Sequence, residues 1–165
     1  MKKTAESAHG LHELIAQRWS PLAFEERSLS EETVGSLLEA ARWAPSCYNE
    51  QPWRFIYARR ENKQDFDRIA DCLVPANRSW AERAGLLIVA CASESFERNG
   101  KPNAWAWHDV GLATAQLILQ AESMGLRAHA MAGFDPDKAR ELLAIPEGVT
   151  PVSALAVGYS GDTNK

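Results

Sequence analysis

Arg42-Trp43-Ala44-Pro45-Ser46-Cys47-Tyr48-Asn49-Glu50-Gln51-Pro52-Trp53-Arg54-Phe55 is the stretch on which the reading of this chain turns. A helix stops in it, a polar turn follows and a strand begins. Pro45 biases Ala44 away from helical ψ, and Pro52 does the same to Gln51, so residues 46–51 are predicted to form a shaped loop between two rigid elements. Its Ser, Cys, Tyr, Asn and Gln side chains suit a planar polar ligand. Polar residues also fill ordinary helix-to-strand connections, and spacing alone leaves both readings open.

Upstream, Ser30 is placed to cap a helix whose first turn carries Glu31 and Glu32 and whose buried stripe is Val34, Leu37, Leu38 and Ala41. Before it, residues 8–18 have helical spacing, with Leu11, Leu14 and Ile15 on one face and Pro21 as the stop. Downstream, residues 53–58 alternate as a strand, residues 61–73 read as a helix, and residues 85–91 read as a fully buried strand. The longest helix runs from Asn103 to Met124. Apolar and small residues cover most of its circumference, which predicts burial on nearly every side and a homodimer formed by close approach at Gly111, Ala113 and Ala115. Residues 126–133 form a third strand, Asp135 and Pro136 open a helix that faces the core through Ala139, Leu142 and Leu143, and residues 152–159 form a fourth strand. A polar tail, residues 160–165, follows.

The chain of 165 residues has the length of a single domain, taken as residues 1–165, and its 45% apolar and 24% charged shares are those of a globular protein. A net charge of -4 gives no sign of a general polyanion binder, so nucleic acid is not an expected partner. There is no apolar run of membrane-spanning length, and a cytoplasmic location is expected. Cys47, Cys72 and Cys91 fit neither a disulfide framework nor a zinc site. Cys72 and Cys91 read as core thiols. Cys47 reads as a loop-lining residue, because no His or Asp signature accompanies it as a nucleophile would require.

Pro-Ser-x-x-Asn-x-Gln-Pro-Trp, from Pro45 to Trp53, resembles the flavin-binding loop of the FMN-dependent nitroreductase family. Arg18-Trp19-Ser20 resembles the family segment whose Arg and Ser hold the FMN phosphate, and a guanidinium with a hydroxyl suits that dianion. Asn77 stands where the family places an amide on the flavin ring, and Ala132-Gly133 resembles the segment whose backbone approaches flavin N5 and O4. The resemblance spans about Leu11 to Tyr159. It implies an α+β fold in three layers, a mostly antiparallel or mixed sheet with helices on both faces. It implies FMN at the interface of a homodimer, with Arg18, Trp19, Ser20, Asn77, Ala132 and Gly133 from one chain and Pro45, Ser46, Cys47 and Asn49 from the other. It also implies ping-pong hydride transfer from NAD(P)H to a nitroaromatic, quinone or enone, with no side chain as nucleophile. Tyr48, with Trp105 or Trp107, is the expected substrate wall.

The chain departs from the family pattern in three places. Leu22 stands where a basic residue is expected, Trp80 where some relatives carry Lys, and the sequence ends at Lys165, short of the Arg/Lys-rich segment and final strand that relatives add. Arg18 is then the one clear phosphate cation unless Arg54 or Arg127 substitutes. Loss of one or two charge-assisted contacts, each worth roughly 1.5–3 kcal/mol, weakens binding by one or more powers of ten. The alternative reading is therefore a non-catalytic dimeric binding protein on the same scaffold. His108-Asp109 reads as structural, since neighbours on a helix point about 100° apart and are poorly placed to pair. His9 and His12 read as a solvated pair.

Overall fold

Leu86 to Ser93 is the strand that the rest of the domain covers. It is apolar on both faces, and each of Leu86, Leu87, Ile88, Val89, Ala90, Cys91 and Ala92 is excluded from solvent. The structure, a computed structural model, describes residues 4–162. Four strands, β1 (Trp53–Arg59), β2 (Leu86–Ser93), β3 (Arg127–Met131) and β4 (Val149–Gly158), form one sheet in the order β1-β2-β4-β3. Every neighbouring pair is antiparallel. The β2–β4 register shifts by one residue between Ala90 and Cys91, opposite Pro151, which cannot donate to a ladder and so sits at the bulge.

The alternation of β2 assigns the helices. Leu86, Ile88, Ala90 and Ala92 pack with α2 (Glu31–Arg42) and α5 (Ala106–Ser123), through Val34, Leu37, Val110, Ala113 and Leu117. Leu87, Val89 and Cys91 pack on the other face with α3 (Lys63–Ala70), α4 (Pro75–Ala81) and α6 (Pro136–Leu142), through Phe66, Ile69, Ala81 and Ala139. Burial of each large aliphatic side chain in these layers contributes about 1.5–3 kcal/mol. The result is the expected three-layer α+β arrangement, with a fully antiparallel sheet.

Several boundaries differ from the sequence pattern. The first helix, α1, is only Glu13–Gln17, because His12 ends the preceding chain as its cap, its ring nitrogen accepting from the Leu14 amide. Leu11 and Ile15 consequently face solvent rather than the core. The helix read over residues 61–73 stops at Ala70, and Pro75 opens a separate helix, α4, which carries Asn77. The long helix begins at Ala106, with the Asn103 side chain accepting from the Trp105 amide just before it. Burial covers one face of α5 only; Trp107, Gly111 and Ala115 lie on its exposed side. Ser160 and Gly161, read as tail, pair with residues 23–24 at the end of β4.

Candidate functional site

The loop after α2 is compact and strained. Cys47–Asn49 makes a single 3₁₀ turn, and Tyr48, Asn49 and Gln51 adopt left-handed φ values of 55°, 58° and 53°. Pro52 does exclude Gln51 from the right-handed helical region, but Gln51 goes to the left-handed region instead of the extended one. Three such residues cost of order 1 kcal/mol or more each, so other contacts must hold them. The Gln51 amide donates to Ser46 Oγ at 2.9 Å, the Asn49 amide to the Ser46 carbonyl at 3.0 Å, and Arg54 Nη1 to the Gln51 carbonyl at 3.1 Å. The Glu97 amide donates to the Glu50 carboxylate from the far side. Outside the loop, the decisive anchor is Asp109, which is 2% exposed: its Oδ2 accepts from the Cys47 amide at 2.8 Å.

Asp109 also contradicts the reading that His108 and Asp109 are poorly placed to pair. Its Oδ1 lies 3.0 Å from His108 Nδ1. Both side chains are long enough to bend toward each other in the first turn of α5, where the helix has no preceding turn to crowd them. Pro45, Ser46, Cys47, Trp105, His108, Asp109 and Leu112 together line a pocket of about 230 Å³. Cys47 therefore shares a pocket with a His and an Asp from a segment about 62 residues further along the chain, which no local motif could reveal, and Asp109 bonds its backbone amide and not its thiol. Cys72 and Cys91 are core residues as expected, and burial pushes both thiols up to about 11.

The other expected residues gather at the opposite edge of the sheet. Arg18 Nη1 donates to Ser20 Oγ at 3.3 Å, with both side chains exposed and Trp19 half-buried between them. The next residue, Pro21, places its carbonyl 2.8 Å from His129 Nδ1 on β3. The His129 ring stacks on Trp80 at 4.6 Å, and Trp80 stacks in turn near Phe24 at 6.2 Å. Trp80 is thus a packing residue that links residues 21–24 to α4, and His129 was missed because an alternating strand gives no sign of which side chain meets a distant loop. One turn earlier on α4, Asn77 Nδ2 donates to the Gly133 carbonyl at 3.0 Å, and the Val74 amide donates to the same oxygen.

Gly133 was read as allowing close approach of a flat ring. Its nearest constraint is internal: a Cβ there would stand 2.4 Å from Asn77 Nδ2 and 3.1 Å from Val74 Cγ2. Neighbouring Ala132 is exposed. Of the proposed substitute cations, Arg127 is paired with the buried Glu122 carboxylate at 2.9 Å, and Arg54 is committed to the Gln51 and Trp53 carbonyls. Leu22 is exposed. Tyr48 is 74% exposed, with the Arg98 guanidinium 4.0 Å above its ring, and Trp107 is not among the pocket residues whereas Trp105 is. Among the described residues no group of three or more His, Cys, Asp or Glu side chains is placed to hold a metal ion, and no helix is long and apolar enough to cross a membrane.

The fold and the proline-fenced loop define an α+β oxidoreductase scaffold. The chain belongs to the Nitroreductase family, whose model matches residues 15–79 and 73–159. A Methanothermobacter thermautotrophicus protein whose name joins NADH dehydrogenase and NAD(P)H nitroreductase is 31% identical over 155 residues, covering 91% of this chain and 77% of that one. Protein DrgA of Synechocystis is 31% identical over 173 residues, covering 87% and 81%. Among solved structures, an oxidoreductase described as containing FMN superposes with a TM-score of 0.91 at 33% identity, covering 96% of this chain and 81% of its own. A Parabacteroides distasonis protein carrying the same double name gives 0.76 at 27% identity, covering 92% and 87%. The chain is an oxidoreductase of this family.

Proposed function

We propose that this chain is an FMN-dependent oxidoreductase that takes hydride from NAD(P)H and passes it, in a ping-pong cycle, to a nitroaromatic, quinone or enone. The observation that carries this reading is the loop from Pro45 to Gln51, strained at three residues and pinned by a buried carboxylate, in a chain similar to an FMN-containing oxidoreductase.

The residues present fit the cofactor. Arg18 and Ser20, exposed and within 3.3 Å of each other, would hold its phosphate by a guanidinium fork and a hydroxyl. Asn77, one amide hydrogen engaged by Gly133, keeps its oxygen and second hydrogen for the pyrimidine edge of the ring. Trp19 and Ala132 would border it, and Pro45, Ser46, Cys47 and Asn49 of a second copy would close the opposite side. When bound, FMN supplies the two-electron chemistry. The protein's part is to hold the phosphate, orient the ring and exclude water, with Trp105 and Tyr48 as walls for the acceptor.

The two groups of residues lie beside opposite edge strands of the sheet, β1 and β3, which are three strand spacings or about 14 Å apart. That separation supports a homodimer, and the exposed Trp107, Gly111 and Ala115 of α5, with Leu11 and Ile15 near α1, offer the surface for it. We take the chain to be one domain that acts in the cytoplasm.

One observation favours the second reading, a non-catalytic binding protein: Arg54 and Arg127 are engaged elsewhere, leaving Arg18 as the cation for a phosphate. The visible absorption spectrum of the purified protein, before and after FMN is added and the unbound fraction removed, separates the two. A retained flavin band that NADH or NADPH bleaches is the expected result. A protein that stays colourless overturns the FMN assignment.

A further inference from the structure

Away from Arg18 and Ser20 and from the Pro45–Gln51 loop, a pocket of about 470 Å³ opens between the start of α4 and the start of α6. That is within the range of about 300–1,000 Å³ usual for small-molecule sites. Its wall continues the backbone that holds Asn77 against Gly133. The Val74 amide donates to the Gly133 carbonyl at 3.1 Å, Leu73 pairs antiparallel with Phe134, and the Asp135 amide donates to the Cys72 carbonyl at 2.8 Å. Residues 72–74 and 133–135 therefore run side by side from the expected edge of the flavin ring to the pocket, where Leu73, Val74 and Pro75 form an apolar wall. Asp71, Arg78, Asp135 and Lys138 share the lining. The Arg78 guanidinium is taken up by the Asp71 carboxylate and lies 3.5 Å from Glu82. Asp135 Oδ1 accepts from the Asp137 and Lys138 amides, both at 3.0 Å, and its Oδ2 has no hydrogen-bond partner among the described residues. Lys138 is exposed and makes no ion pair among the described residues.

What stays free is one ammonium and one carboxylate oxygen, on residues three apart at the cap and first turn of α6 and so close neighbours. A bare anion would be repelled by Asp135 and a bare cation by Lys138. A nucleotide suits both: its phosphate takes the Lys138 ammonium, its ribose diol donates to Asp135 Oδ2, and its base lies on Leu73, Val74 and Pro75. We propose that this pocket holds the adenylate half of the hydride donor, and that Asp135, by accepting from the free ribose diol, selects NADH over NADPH. The 2′-phosphate of NADPH would set further negative charge against that carboxylate. This deepens the proposed function by naming its donor, and rests on that reading for the transfer of hydride but not for the nucleotide site itself.

ADP-ribose, which carries the adenylate half and no nicotinamide, is the probe, and its 2′-phosphorylated form is the comparison. Each is titrated by calorimetry into the full chain, with and without FMN. ADP-ribose is expected to bind about tenfold or more tightly than the 2′-phosphorylated form, and Lys138→Ala to weaken it about tenfold. Asp135→Asn, whose amide oxygen can still cap α6, is expected to narrow the preference between the two probes to about threefold or less. Lys101→Ala, which removes an exposed cation from the loop before α5, is expected to bind as the wild type does. No binding of ADP-ribose, equal or tighter binding of the 2′-phosphorylated form, or an affinity that Lys138→Ala leaves unchanged overturns the proposal. So does a preference that survives Asp135→Asn, or a loss in Lys101→Ala as large as that in Lys138→Ala. A protein that retains FMN and is bleached by NADH but ignores ADP-ribose keeps the proposed function and loses this inference. One that binds ADP-ribose as described but never retains flavin keeps the nucleotide site and loses the proposed function.

Discussion

The loop from Pro45 to Gln51 and the cluster from Arg18 to Gly133 reach order by opposite means. The loop holds three non-glycine residues in a disfavoured conformation and depends on a few directed hydrogen bonds, chief among them the buried Asp109. The cluster uses ordinary backbone on α4 and β3 and depends on contact: Trp80 against His129, Asn77 against Gly133. The first is rigid because it is over-determined, the second because it is full. Loss of one hydrogen bond should therefore damage the loop most, and added volume should damage the cluster most.

Asp109→Ala is the strongest test of that contrast. It leaves the Cys47 amide unpaired and releases His108, and a loss of about 2–3 kcal/mol in urea unfolding is expected, with Asp109→Asn recovering part of it because an amide oxygen can still accept. Gly133→Ala tests the cluster. The new methyl meets Asn77 Nδ2 at 2.4 Å, and a cost of about 2 kcal/mol is expected. Adding Asn77→Ala should make the double variant less destabilised than the two single costs summed; strict additivity would show that the contact is not the cause.

Gln51→Gly sharpens the account of strain. Glycine accepts a φ of 53° without penalty, so a gain of about 0.5–1 kcal/mol is expected after its greater freedom in the unfolded chain is allowed for. A loss would show that the Gln51 side chain, which donates to the Asn49 carbonyl, matters more than its backbone. The smallest effect is at Glu39, at the end of α2 that leads into the loop. Arg42 first, and the Trp43 indole second, hold its carboxyl at about 2, below the ordinary 4.5. A depressed carboxyl stabilises the fold above its unfolded value and ceases to as pH falls through the folded one. The small stability difference between wild type and Glu39→Gln should thus be constant above about pH 4.5 and fade toward about pH 2, as pH-dependent urea unfolding would show.

Much of this was legible in the chain. Pro45 and Pro52 mark the loop, and the unbroken apolar run of β2 identifies a strand covered on both faces. What failed to show has a common physical origin. The pairing of Cys47 with Asp109, and of Pro21 with His129, closes over 62 and 108 residues, and nothing near either partner records the other. The exposed side of α5 is the face that the sequence assigns to a second copy, and alanine and glycine look the same in sequence whether they face a core, a partner or water.

The division of the candidate residues between the two edges of one sheet also bears on inheritance. In the proposed dimer each centre draws its phosphate-holding half from one chain and its closing loop from the other. A chain defective at Arg18 and a chain defective at Asp109 would each form inactive dimers alone. Mixed in one cell, they would form heterodimers in which one centre has both defects and the other has neither, so two null alleles would restore activity to each other.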